Sequence, residues 1–291
     1  MSDLYKQILE RVDHMPQVST SSMNLLQALS RQDFQVQQII DIVESDISLT
    51  TRCLQVVNSA AYGLRNTVET IKQAVIFLGS QTLVSIALAQ SFAGTFSTSL
   101  KGYGIEGLAL WNHSIRTALA SRVITKSLVR DISPDLAYTA GLMHDMGKAV
   151  ITEFLEKHQQ DLFNKLVEIK PGKDFLKLEN ELLGTDHAHV GLAMAKRWNF
   201  PMPLIQAIAW HHTVENARPE FRALVGVVHL ADLIAMMGGG GTGVDTLAYH
   251  LDPFVEREFS LDRKALQQLI YKIDMEFLAV KDKLNSLIGK D

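Results

Sequence analysis

Apolar residues recur at helical spacing along almost the whole chain, and no sustained period-2 alternation of β-branched residues meets hairpin turn chemistry. That feature predicts an all-α fold. Val36, Ile39, Ile40 and Val43 fall at i, i+3, i+4 and i+7, as do Ile71, Ala74, Val75 and Leu78, the stripe by which an amphipathic helix packs on a core. Leu49, Cys53, Val56 and Val57 repeat it, with Asp46 and Ser48 upstream as N-cap candidates. Cys53, the one cysteine, therefore reads as a small core residue rather than a nucleophile, and its lack of a disulfide partner fits a reducing compartment.

The most apolar stretch, residues 83–92, is broken by Ser85, Gln90 and Ser91 and falls short of the ~20 residues a spanning helix needs, so a buried helix is expected there. The N-terminus lacks a basic segment followed by an apolar run, so no secretory signal is read and a cytoplasmic, soluble protein is the expectation. A length of 291 residues accommodates one large domain or two modest ones. Residues 95–104, with four Ser/Thr and two glycines, are the best candidate linker, dividing an N-terminal helical bundle (1–100) from a second bundle with C-terminal helices (101–291). Five glycines within six residues, after Met236 and Met237, predict a second break as an exposed, mobile loop.

Lys plus Arg number 28 and Asp plus Glu 32, a net charge of −4, and no basic cluster carries an aromatic platform. Nucleic-acid binding is disfavoured on both counts, and no membrane partner is expected.

The ten histidines are the unusual count, and eight of them lie between His113 and His229. Their company matters more than their number. His144-Asp145 sits in Gly-Leu-Met-His-Asp-Met-Gly-Lys-Ala, His187 in Thr-Asp-His-Ala-His-Val-Gly, and His211-His212 in Ala-Trp-His-His-Thr. Asp232 shares a helical face with Val225, Val228, His229 and Met236, where an unpaired carboxylate is costly and a cation must meet it. His187 lines up with Val190, Met194 and Trp198, and His211 with Leu204, Ala207 and Ile208, so both imidazoles point inward. Mixed imidazole and carboxylate ligands suit iron, manganese, zinc, cobalt or nickel better than calcium or magnesium. At a helix end the adjacent His-Asp pair can converge, its carboxylate bridging two cations, and a metal pair so held can activate water and clamp a phosphate. Lys148, one turn beyond Asp145, is placed to neutralise a phosphoryl oxygen. His189 and His229 read as supporting residues; His14, His158 and His250 read as surface residues.

The order His113, His144-Asp145, His187, His211-His212 and Asp232 resembles the metal-binding pattern of the HD superfamily of metal-dependent phosphohydrolases, especially its HD-GYP branch. Met15-Pro-Gln-Val, Glu44-Ser-Asp-Ile-Ser-Leu, Val57-Asn-Ser-Ala-Ala-Tyr, Ile71-Lys-Gln-Ala-Val-Ile-Phe-Leu-Gly79, Leu110-Trp-Asn-His-Ser and Ile208-Ala-Trp-His-His look like an HDOD domain, the HD-related output domain of bacterial signalling proteins. The resemblance spans most of residues 8–240. It implies an all-helical pair of bundles, a role in bacterial signal transduction, and His113, His144, Asp145, His187, His211, His212 and Asp232 as metal ligands with Lys148 beside them. Two divalent transition-metal ions are expected, iron or manganese ahead of zinc, cobalt or nickel. The glutamate that HD-GYP proteins carry one turn before the first histidine is Ala109 here, their His-His-Glu is His211-His212-Thr213, and no Gly-Tyr-Pro follows. These departures point away from a third metal and from cyclic-dinucleotide hydrolysis.

Two functions fit. One is a metal-dependent phosphohydrolase acting on a phosphoester or nucleotide, with Asp145 and Lys148 in the catalytic machinery. The other is a non-catalytic regulatory module that binds a signalling protein and keeps its metals as structural pins.

Overall fold

The stripes read from the sequence become the buried faces of helices, and no strand occurs among the described residues. The computed structural model describes residues 3–31, 33–59, 62–64, 66–129, 131–158, 175–246, 248–259 and 262–288; Ala60 and Ala61 of the motif beginning at Val57 lie outside them. The fold is all-α, as the periodicity predicts.

Seven helices make the first part: α1 (Asp3–Asp13), α2 (Thr20–Leu29), α3 (Val36–Glu44), α4 (Ile47–Val57), α5 (Ile71–Leu78), α6 (Ser80–Ser91) and the short α7 (Ala93–Phe96). Their ends follow from local chemistry. Asp46 caps α4, its Oδ1 accepting from the N–H groups of Ser48 (2.9 Å) and Leu49 (3.1 Å), which satisfies two donors that the first turn leaves without partners. Thr70 and Gln73 form a capping box at the start of α5. Cys53 is fully buried on the inward face of α4.

Between α5 and α6 the chain turns by 116° at Gly79, whose φ of +79° suits glycine. Leu83 to Ala89 of α6 are all buried in the protein. No single helix among the described residues is long and apolar enough to cross a membrane.

The second part is built around α8 (Ala109–Leu128), which packs against α9 (Pro134–Met143), α14 (Arg222–Met237) and α16 (Arg263–Ile288). Around these lie α10 (Lys148–Lys157), α11 (Phe175–Leu183), α12 (His187–Arg197), α13 (Met202–Trp210) and α15 (Pro253–Glu258). Three contacts brace α16 on α8: Trp111 Nε1 donates to the carbonyl of Leu284 (3.1 Å), Arg122 pairs with Glu276 (2.7 Å), and Arg116 pairs with Asp274.

One continuous apolar core runs from Ile8 to Leu284. The segment expected as a linker is part of it, since Phe96, Leu100 and Tyr103 are fully buried and Gly102 N–H donates to Thr152 Oγ1 (3.0 Å). Near the end of α1, the carbonyls of Met15 and Pro16 accept from Arg197 and Trp198, each at 3.1 Å, which ties the N-terminal helices to the end of α12.

The glycine loop differs from expectation. Gly239 stands exposed, but the loop folds back so that Thr242 and Asp245 are fully buried and Gly240 packs on Arg116. A Cβ at Gly240 would lie 2.6 Å from Arg116 Cδ, so the glycine here permits a close approach.

Candidate metal centre

The cluster is assembled at helix ends and one helix interior. α9 stops at Met143, and His144 to Gly147 form a turn before α10, so the His-Asp pair sits at a break where both side chains converge inward. Gly147 lets α12 ride close over this turn: a Cβ there would meet the His187 carbonyl oxygen at 2.0 Å and the Gly191 nitrogen at 2.7 Å. Asp186 caps α12 by accepting from His189 N–H (2.9 Å), which places His187 in the first turn. His211 and His212 follow the last residue of α13, and Asp232 projects from the middle of α14.

Among the described residues, two groups of potential metal ligands form, with the ligand atoms of each lying within 4.8 Å of one another. One is His113, His144 and Asp232; the other is Asp145, His187, His211 and His212. All seven residues named from the sequence are therefore brought together. Asp145 spans the two groups. Its Oδ2 lies 3.4 Å from His113 Nε2 and 3.5 Å from His144 Nε2, while its Oδ1 lies 3.3 Å from His187 Nε2 and 3.6 Å from His211 Nε2. Asp232 Oδ1 stands 3.0 Å from His113 Nε2 and 3.6 Å from His144 Nε2.

The outer ring nitrogens fix the tautomers. Nδ1 of His113 meets the Gly240 carbonyl (2.5 Å), that of His144 the Gly141 carbonyl (2.8 Å), and that of His211 the Ile208 carbonyl (2.9 Å). His187 Nδ1 meets Glu179 Oε2 at 2.8 Å. With Nδ1 directed outward, each of these rings in its neutral form turns the Nε2 lone pair toward the cluster, the orientation a metal-ligating histidine needs.

Those lone pairs crowd one another. Nε2 of His113 and His144 are 3.3 Å apart, those of His187 and His211 3.4 Å, and those of His187 and His212 3.0 Å. Neighbouring ligand atoms about 2.1 Å from one ion stand about 3.0 Å apart in an octahedron and about 3.4 Å in a tetrahedron. Oδ1 of Asp145 and Oδ1 of Asp232 are buried and receive no aligned hydrogen bond from the described residues, while Asp145 Oδ2 is met by the Lys148 ammonium at 2.7 Å. Converging lone pairs and orphaned carboxylate oxygens fit cations, so the cluster has the makings of a metal site.

Charge balance agrees. Asp145, Asp232, Glu179 and Asp245 are buried together, with Lys148 as the buried ammonium among them. Burial opposes a charge on His113, but Asp145 and Asp232 outweigh it and push its pKa up to about 10. Burial likewise opposes ionisation of Asp145, yet Lys148 and the surrounding histidines hold it well below the usual carboxylate range. Burial wins at His211, which falls to about 4.

Lys148 faces the cluster from a position the sequence does not reveal. Its Nζ donates to Thr242 Oγ1 (3.0 Å) and Asp245 Oδ2 (2.7 Å) and forms an ion pair with Asp145 Oδ2 at 2.7 Å, so the ammonium is engaged inside the protein. As placed, it holds Asp145 rather than presenting a free donor to a ligand. Glu179, Thr242, Asp245 and Tyr249 escaped the sequence reading; Tyr249 donates to Asp245 Oδ2 (3.0 Å) and stacks on His212 at 4.0 Å between ring centroids. His229 is structural: Nδ1 meets the His211 carbonyl (2.6 Å) and Nε2 accepts from Asp252 N–H (2.9 Å).

Comparison with known proteins bears on the fold and the family. An uncharacterised protein of Treponema pallidum is 28% identical over 254 residues, 85% of this chain and 47% of that protein. Ribonuclease Y of Thermus thermophilus is 28% identical over 160 residues, 55% of this chain and 21% of the enzyme. The chain thus spans about half the length of the first relative and about a fifth of the second. The crystal structure of an HDOD domain protein of unknown function from Geobacter sulfurreducens superposes with a TM-score of 0.70 at 24% identity, covering 98% of this chain and 97% of that one. The HDOD domain model matches residues 15–214, more than two thirds of the sequence, and the chain belongs to the HDOD domain family.

Proposed function

We propose that this HDOD protein is a bacterial signalling protein that retains a two-metal centre and hydrolyses a phosphoester, with residues 1–100 meeting a partner protein and residues 101–291 holding the centre. The observation that carries the reading is Asp145, which turns one oxygen to each of two histidine groups. His113, His144 and Asp232 would hold one ion with Asp145 Oδ2; His187, His211 and His212 would hold the other with Oδ1. The mixed imidazole and carboxylate set favours iron or manganese. When bound, such ions supply Lewis acidity toward a phosphoryl oxygen and lower the pKa of water.

The chain's own residues do the positioning. Lys148 fixes Asp145 Oδ2 against rotation, Glu179 holds the ring of His187, and three backbone carbonyls hold the rings of His113, His144 and His211. The similarity to ribonuclease Y supports phosphoester chemistry, while the net charge of −4 argues against a polynucleotide as substrate.

A second reading rests on burial. His113, His144, Asp145, His187, His211 and Asp232 are each at most 1% exposed, as in a closed structural metal site of a non-catalytic module. Metal analysis of protein purified without chelator, together with a screen of phosphomonoesters and phosphodiesters, separates the two. Two equivalents of metal and an activity lost in both His144→Ala and Asp145→Ala are expected of the enzyme. Activity surviving both substitutions overturns it, and bound metal with no activity across the screen supports the regulatory module.

A further inference from the structure

Between the start of α8, the glycine loop after α14 and the C-terminal half of α16 lies a cavity of about 280 Å³ that opens to the surface. His113 forms part of its wall and is the one residue it shares with the two ligand groups. Two cations line it. Arg116 is 8% exposed; its guanidinium lies 4.3 Å over the Phe277 ring and is tied through Nη1 to the Gly238 carbonyl and Asp274, while its Nε has no partner among the described residues. Lys281 reaches the same cavity without an ion-pair partner among the described residues. Glu106 is the lining carboxylate.

This combination selects a chemistry. Arg116, held in place by packing and balanced by Asp274, is a preorganised guanidinium, and Lys281 beside it, with no ion-pair partner among the described residues, adds the positive charge that suits a group with several acceptor oxygens. Glu106, the carboxylate of the lining, can accept from hydroxyl groups, and that attraction offsets its repulsion of an anion only for a ligand that carries them. The volume of about 280 Å³ falls just below the range of ligand sites, which run from roughly 300 Å³ upward.

We infer that this cavity binds a small phosphorylated ligand bearing hydroxyl groups, of sugar-phosphate to mononucleotide size, with its phosphate at Arg116 and Lys281 and a hydroxyl at Glu106. The cavity also reports to the cluster. Gly240 packs on Arg116 through its α-carbon and accepts from His113 Nδ1 through its carbonyl (2.5 Å), so an occupant pressing on Arg116 bears on the loop that orients His113. Residues 239–241, Phe277 and Lys281 lie beyond the stretch matched by the family model, so much of the wall belongs to this chain's C-terminal part.

Calorimetry on the full chain tests the inference with ribose 5-phosphate, a hydrolysis-resistant phosphonate analogue of AMP, and neutral adenosine. Binding of the two anionic probes below about 1 mM is expected, with adenosine at least about tenfold weaker. Lys281→Met should weaken the phosphonate about tenfold, the loss of one charge-assisted hydrogen bond, and flatten its salt dependence without altering metal content. No binding by either anion, equal binding of adenosine, or unchanged affinity in Lys281→Met overturns the inference. Binding is read here without turnover, so failure of the phosphohydrolase reading would leave it standing, and its own failure would not touch that reading.

Discussion

Glu179 accepts twice from His187 on a single oxygen: Oε2 takes the backbone N–H at 2.9 Å and the ring Nδ1–H at 2.8 Å, while Oε1 takes the Tyr103 hydroxyl at 2.6 Å. A carboxylate behind a ligand histidine fixes the ring and raises its basicity. Glu179→Gln keeps the shape and removes the charge. Metal affinity should drop roughly 10- to 100-fold with helicity unchanged, read by competition with a chromogenic chelator. Parent-like affinity would show that Glu179 supports only the fold.

Lys148 balances Asp145 and Asp245 in a region from which water is excluded. Lys148→Met fills similar space but strands two buried carboxylates, and breaking a buried pair in this way costs about 3–5 kcal/mol. Urea unfolding should show a lower midpoint with little change in slope. A midpoint equal to the parent's would mean that the histidines already neutralise the carboxylates.

His113 carries a proton at neutral pH in the metal-free chain, because Asp145 and Asp232 outweigh the effect of burial and push its pKa up to about 10. A ligand imidazole must be neutral, so metal loading near pH 7 should expel about one proton from this residue. Calorimetry in buffers of different ionisation enthalpy measures that release. For the metal-free chain the sign is that of a raised pKa: the stabilisation is complete below about 6.5, the ordinary histidine value, and is lost as pH rises through about 10. Metal binding without proton release would contradict the assignment.

Burial pushes the Cys53 thiol up to about 12. Between about 9 and 12, only the unfolded chain ionises this group, so its contribution to stability falls as pH climbs through that window. Near pH 8 the native protein should resist a thiol-directed reagent that labels the same chain promptly in urea. Fast labelling of native protein would place Cys53 outside the core.

Periodicity carried most of what was legible. The inward face of Asp232 and the helix-end setting of His144 and Asp145 are both visible as patterns in one dimension. Glu179 was readable by the same logic, since it falls on the buried face of α11 with Phe175, Leu176 and Leu183. Asp245, Thr242 and Tyr249 were not, because their burial depends on how a loop folds back over α8 and α10, and glycine-rich sequence signals a break without saying where the loop will pack. The placement of Lys148 follows from those partners: a lysine one turn beyond Asp145 can face a ligand or a buried carboxylate, and Asp245 decides the matter.

Asp232, Gly240 and the helix braced on Trp111 all lie C-terminal to residue 214, where the family model stops matching. A fragment cut at the edges of that match would keep His113, His144, Asp145 and both members of the His211-His212 pair while losing the carboxylate, the carbonyl and the brace that orient the first of them. Such an excised piece would keep six of the seven candidate ligands with the support of His113 removed, so the folded unit that shapes the cluster is longer than the unit by which its family is recognised.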